Sequence, residues 1–226
     1  MTNKHQHSVL EKEFELERLI LFSDAVFAIA ITLLIIDIKF PELPEKRVEG
    51  KTLDLLSHTI LSFAAFALSF FFIGRSWSNH LRLFRFLRKY DQGLINRNLL
   101  FLFFIVTFPF AAAGIAGHVR SGFVIPIYVY IINLAAVSIM HFNLCHYIFH
   151  KKPWLAGEGE TAEKKYAYFS SLYIAAAMGI MILAIIAAGL IFPDKESYVG
   201  YSCILVAPLL GLAKRMAKKY RPAEHV

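Results

Sequence analysis

Charge is what this sequence has least of. Only 18% of its 226 residues are Asp, Glu, Lys or Arg, against about 25% in an ordinary soluble domain, while 57% are hydrophobic. The apolar residues come in blocks rather than at amphipathic intervals, so the solvent of the fold is lipid. Cysteine is nearly missing as well. Cys145 and Cys203 both fall inside apolar blocks, which leaves no basis for a disulfide framework. No G-x-S-x-G elbow, H-E-x-x-H zinc site or G-x-x-x-x-G-K-[ST] phosphate loop occurs, and no soluble stretch is long enough for an ATP site; an ATP-driven pump is not expected on that ground. The chain is expected to be no enzyme and to use no cofactor and no resident metal. T-V-G-Y-G, the carbonyl filter of ordinary potassium channels, is also missing. The first apolar block lacks a small-residue cleavage site, so no removable signal peptide is read.

What is present is a series of membrane-length blocks. A bilayer core about 30 Å thick needs roughly 20 helical residues. Six stretches qualify, near 19–38, 55–77, 97–117, 122–148, 167–192 and 197–213. The expectation is one all-α integral membrane domain over residues 1–226, with six transmembrane helices. The sixth stretch is the shortest and contains Pro208, and five spans is the alternative. Pro109, Pro126 and Pro208 predict local kinks, which neighbouring helices can accommodate. The net charge of +7 does not imply nucleic acid, because the basic residues gather between the apolar blocks. With six spans, 18 of the 24 lysines and arginines fall on one side, which puts both termini in the cytoplasm. The segment carrying Arg75, Arg82, Arg85, Arg88, Lys89 and Arg97 is the most basic. It reads first as a topology determinant at the headgroups and second as an anionic-lipid contact.

Ionisable groups within membrane helices cost a few kcal/mol on insertion scales and ordinarily have partners. Asp24 lies in the first span, within RLILFSDAVFAIAITLLIIDI. At 100° per residue, Ala25, Ile29, Thr32, Leu33 and Ile36 share one face, continued by Phe22 and Arg18. Ser23 and Asp24 point elsewhere, towards donors on neighbouring helices. Trp77 and His80, three apart at the end of the second span, and Asn98 beside Arg97 at the start of the third are the donors expected to meet them. Such a cluster is mainly a packing device, and proton transfer through it is the second reading. His141, His146 and His150 lie along the fourth span. The latter two have an i, i+4 spacing that suits a metal, yet no third ligand accompanies them, so they read as hydrogen-bonding histidines.

The run R-x-x-x-F-S-D at Arg18, Phe22, Ser23 and Asp24, continuing as AVFAIAITLL, resembles the signature of the prokaryotic relatives of the lysosomal potassium channel transmembrane protein 175. W-x-x-H at Trp77 and His80, and R-N-L-L-F-L from Arg97 with Pro109 beyond it, extend the likeness through the first three spans. The later spans match in number and hydropathy alone. The resemblance implies a homotetramer of six-helix subunits whose first helices line a central potassium pore; longer eukaryotic members carry two such repeats and pair as dimers. Carried over by position, it puts the hydrophobic constriction, or gate, at Ile29, further apolar layers at Leu33 and Ile36, and a selectivity-shaping hydroxyl ring at Thr32. Potassium would pass near Ile29 and Thr32. Arg18, Ser23, Asp24, Trp77, His80 and Asn98 would form an interhelical polar network near the cytoplasmic end, although a straight helix leaves Arg18 on the apolar stripe.

The main expectation is thus a potassium-selective, leak-type cation channel in a bacterial plasma membrane. Its partners would be copies of itself, membrane lipids and monovalent cations. The alternative is a proton-coupled secondary transporter or proton-permeable channel using Asp24 and His80. A carrier would show inverted repeats and a broken helix near the midplane, and neither is visible in the sequence. A membrane enzyme or scaffold is the third reading, and it lacks convergent catalytic groups.

Overall fold

The computed structural model describes residues 2–36, 51–118, 125–157, 161–191 and 206–221. No strand occurs among them; one isolated bridge pairs Leu87 with Ala156. The helices are α1 (Thr2–Leu33), α2 (Lys51–Phe84), α3 (Gln92–Val106), α4 (Phe108–His118), α5 (Ile125–His146), α6 (Ala162–Ile191) and α7 (Val206–Lys218). A π-helical turn, Tyr147–Lys151, continues α5, and a 3-10 turn, Pro153–Leu155, follows it.

Three of these stretches are long and apolar enough to cross a membrane among the described residues: Gln92–Ile115, Ile125–Lys151 and Ala162–Ile191. They coincide with the third, fourth and fifth expected spans. α1 and α2 overlap the first two, but both helices start earlier than the apolar blocks do. α1 begins at Thr2 because the polar KEFELER stretch is rich in good helix formers, so helix and span are not the same segment. The sixth expected span lies partly outside the described residues, and α7 covers its second half. There Pro208 stands in the first turn, where its missing N–H removes no hydrogen bond.

α3 starts at Asp91, whose Oδ1 accepts from the Leu94 backbone N–H at 2.8 Å. That bond satisfies one of the free amides of the first turn. α3 and α4 form one membrane-length rod broken at Thr107. Pro109 has no N–H to offer the carbonyl of Ile105, and the Thr107 hydroxyl donates to Asn133 Oδ1 on α5 at 3.0 Å and lies 3.1 Å from Phe104 O. The kink is therefore pinned to α5.

α5 is the central element, packed against α3, α4 and α6, while α1 packs on α2 and α3 and α7 packs on α6. Phe27, Ile73, Phe101, Ile105, Phe108, Leu144 and Met181 are buried where these helices meet. Phe71, Phe110 and Leu190 are at least 73% exposed. Because lipid tails are as apolar as leucine, helix association in this setting rests on close packing and interhelical hydrogen bonds. Phe72 stacked on Phe108 (5.1 Å) and Ser69 Oγ 3.1 Å from Tyr130 Oη are contacts of these two kinds.

Candidate functional site

α1 carries two different surfaces. Leu16, Ser23, Phe27, Ala30 and Leu34 are buried against α2 and α3. Across the helix, Phe22, Ala25, Ile29, Thr32, Leu33 and Ile36 are exposed, Ile29 by 55% and Ile36 by 66%. This open stripe follows the 3.6-residue period, with Ile36 in the turn just past the end of α1. Thr32 Oγ1 lies 2.9 Å from Ile29 O and 3.1 Å from Ala28 O. Its one proton is given to the helix backbone, and its lone pairs are left on the open face.

The expected polar cluster separates into two sets. In the first, Trp77 Nε1 donates to Asp24 Oδ1 at 2.8 Å. Asp24 sits at the edge of the buried face, half-buried, and the indole comes from α2. In the second, Ser23 donates to Leu19 O at 2.9 Å and accepts from Asn98 Nδ2 at 2.8 Å, while His80 Nε2 lies 2.8 Å from Asn98 Oδ1. With the Asn98 amide N–H committed to Ser23, its carbonyl faces His80, so His80 carries its proton on Nε2. The imidazole stands in an aromatic box, 4.0 Å from Phe84, 5.4 Å from Phe101 and 5.6 Å from Phe27 by ring centroids. His80 thus serves Asn98 and not Asp24.

Arg18 is exposed and belongs to neither set. Arg97 turns to the π turn after α5: its guanidinium lies 3.8 Å over the Tyr147 ring, and Nη1 donates to Gly93 O at 2.9 Å. Tyr147 Oη donates to Asp91 Oδ2 at 2.7 Å. The Asp91–Tyr147–Arg97 cluster escaped the sequence reading. Asp91 is recognisable as a cap before an apolar run, but nothing local pairs it with a residue in the π turn after α5. His146 and His150 stack on each other at 5.3 Å, and His150 lies 4.2 Å from the Tyr168 ring. Among the described residues no three His, Cys, Asp or Glu side chains converge as a metal site.

The family model described as endosomal/lysosomal potassium channel TMEM175 matches residues 18–109. That interval contains every residue of the open stripe and of both hydrogen-bonded sets. A potassium channel of a Chryseobacterium species is 30% identical over 154 residues, 68% of this chain and 72% of that one. The chain belongs to the TMEM175 family. A potassium channel of Streptomyces collinus is 40% identical over 100 residues, 44% of this chain and 47% of that one; the match spans about half that relative's length. The crystal structure of a lysosomal potassium-selective channel TMEM175 homolog from Chamaesiphon minutus superposes with a TM-score of 0.63 at 26% identity, covering 91% of this chain and 96% of that one. The TMEM175 fold therefore extends over α4 to α7, where the sequence signature runs out. TMEM175 proteins are ion channels and not enzymes, and this one is an all-helical, multi-pass membrane protein.

Proposed function

We propose that the chain is one subunit of a potassium-selective, leak-type cation channel, a homotetramer of single six-helix domains in a bacterial plasma membrane with both termini cytoplasmic. The open stripe on α1 carries this reading. A helix with one face packed into its own bundle has an opposite face open along Ile29, Thr32, Leu33 and Ile36, and a hydroxyl in the middle of that apolar stripe suits a path for ions between copies of the chain better than a face against lipid. Four copies around an axis would turn the stripe inward as rings. A ring of four isoleucines at Ile29 closes a pore by dewetting without any large side-chain swing, with Leu33 and Ile36 as further apolar layers. The outward lone pairs of Thr32 make it the residue suited to touch a partly dehydrated potassium ion beside that ring.

In this reading the two hydrogen-bonded sets hold the wall. Ser23–Asn98–His80 ties α1 to α3 and α2, and Asp24–Trp77 ties α1 to α2 at its edge. Asp24 and His80 have separate partners, and no observation favours a proton relay between them. The names of the Chryseobacterium, Streptomyces and Chamaesiphon proteins support potassium as the permeant ion; copies of the chain, lipids and monovalent cations are the partners in this reading. Purified protein reconstituted into liposomes should pass potassium, with a reversal potential set by the potassium gradient over sodium. No conductance, or saturating transport that depends on a counter-ion, overturns the channel reading.

A further inference from the structure

The open face of α1 does not end at Ile29. Towards the N-terminus it continues through Ala25, Phe22, Leu21, Arg18, Glu17 and Phe14, all exposed, so two opposite charges stand beyond an apolar run. Neither has a partner inside the subunit: Glu17 and Arg18 make no hydrogen bond or ion pair among the described residues.

Helical spacing keeps them single. Side chains one apart point about 100° from each other, so Glu17 and Arg18 of one chain do not face each other. At the three- and four-residue spacings Glu17 has Glu13, Phe14, Ile20 and Leu21, and none of these is a cation. Arg18 has Glu15 three residues back, but that carboxylate accepts from the Tyr90 hydroxyl in the connection between α2 and α3. Asp24 stands about 9 Å further along the helix, and its Oδ1 accepts from Trp77.

Arg18 is also in register with the stripe. Ile36 lies about five full turns beyond it at 3.6 residues per turn, so in a ring of four chains each guanidinium would start from the side of α1 that faces the axis. Four unpaired positive charges there would repel the cation that the pore is to pass. Glu17 sits on the flank of the same face, about 1.5 Å lower. A closed ring of identical chains makes head-to-tail contacts, in which one flank of each helix meets the opposite flank of the next at nearly equal height. That brings Glu17 of one chain towards Arg18 of its neighbour.

We propose that Glu17 and Arg18 form an ion pair between neighbouring subunits, repeated four times around the axis, which joins the chains at the N-terminal end of the open stripe and draws the guanidinium away from the ion path. This pairing rests on the tetramer proposed above.

The test reverses the two charges in separate chains. Arg18→Glu gives a chain acidic at both positions and Glu17→Arg a chain basic at both, so a ring of either alone sets like charges together at every contact. By native mass spectrometry in detergent, each variant should lose homotetramer about tenfold or more relative to the unmodified protein. Co-expressed with tags of different mass, the two variants should recover tetramers containing two chains of each, because alternation around the ring restores opposite charges at all four contacts. Mixing could not restore an ion pair made within one chain. Intact homotetramers of both variants, or no two-plus-two tetramer on mixing, overturns the pair while leaving the tetramer standing; an unmodified protein that is a monomer overturns the tetramer and the pair with it. Should either reversed chain fail to fold by gel filtration, Glu17→Gln and Arg18→Gln take their place. Each should then weaken the tetramer, the double variant no more than either alone, and strict additivity overturns the pair.

Discussion

Asn98 Nδ2 lies 2.8 Å from Ser23 Oγ, a bond between α3 and α1 that closes 75 residues of sequence at a point where both side chains are fully buried. It fixes α1 about its own axis: with Ser23 held inward, helical phase leaves Ile29, Thr32 and Leu33 on the open face. The direction in which the stripe points therefore depends on a polar contact outside it.

Replacing Asn98 should accordingly disturb more than one helix. Asn98→Leu leaves the His80 Nε2–H without an acceptor inside an aromatic box, and stranding one buried donor costs about 1–3 kcal/mol. Thermal unfolding of the purified protein should shift down by a corresponding amount. An unchanged melting temperature would show that the bond adds nothing to stability.

Asp24→Asn keeps an oxygen that can accept from the Trp77 indole but removes the charge that strengthens that bond. The loss should be about 1 kcal/mol, visible as earlier dissociation of the proposed tetramer on heating, while potassium-over-sodium reversal potentials stay as they were. The opposite order, with selectivity lost and stability kept, would make Asp24 part of the ion path.

Thr32→Ala removes the outward lone pairs without altering the apolar side chains of Ile29, Leu33 and Ile36 along the open stripe. Potassium-over-sodium selectivity in liposomes should fall more than expression does, and Thr32→Ser should restore most of it because the hydroxyl returns. Identical reversal potentials in all three proteins would rule out a hydroxyl contribution.

If the proposed constriction lies at Ile29, Ile29→Asn should wet it and raise conductance, since a hydrated amide removes the dewetting barrier. Current equal to that of the unmodified protein would move the gate away from Ile29.

Gly93→Ala probes the Asp91–Tyr147–Arg97 cluster. A Cβ at Gly93 would stand 2.8 Å from Tyr147 Cζ and closer still to its hydroxyl, so the ring must move away from Asp91 and from under Arg97. Overpacking of this kind costs about 1–3 kcal/mol. Pairing Gly93→Ala with Tyr147→Leu should recover part of the loss in a double-mutant cycle, and strict additivity would mean that the two sites are uncoupled.

How much of this could be read without coordinates depends on whether the property is local. The scarcity of charge and the blocks of apolar residues determined an all-helical membrane protein, and a 100° step per residue was enough to separate the Ile29–Thr32–Leu33–Ile36 stripe from Ser23 and Asp24. Helical phase is a property of one segment, so one segment reveals it. Pairing is a property of two helices whose relative rotation and height no spacing rule supplies, and only the tertiary structure decided it. Trp77 and His80 share a helix face, yet Trp77 goes to Asp24 and His80 to Asn98. Arg97, adjacent to Asn98 in sequence, turns to Tyr147 in the π turn after α5 instead of joining the α1 cluster. The sequence alone decided which residues sit on which face of α1; packing decided which donor meets which acceptor, because a hydrogen bond 2.8 Å long requires two helices to be placed far more closely than hydrophobic pattern can specify.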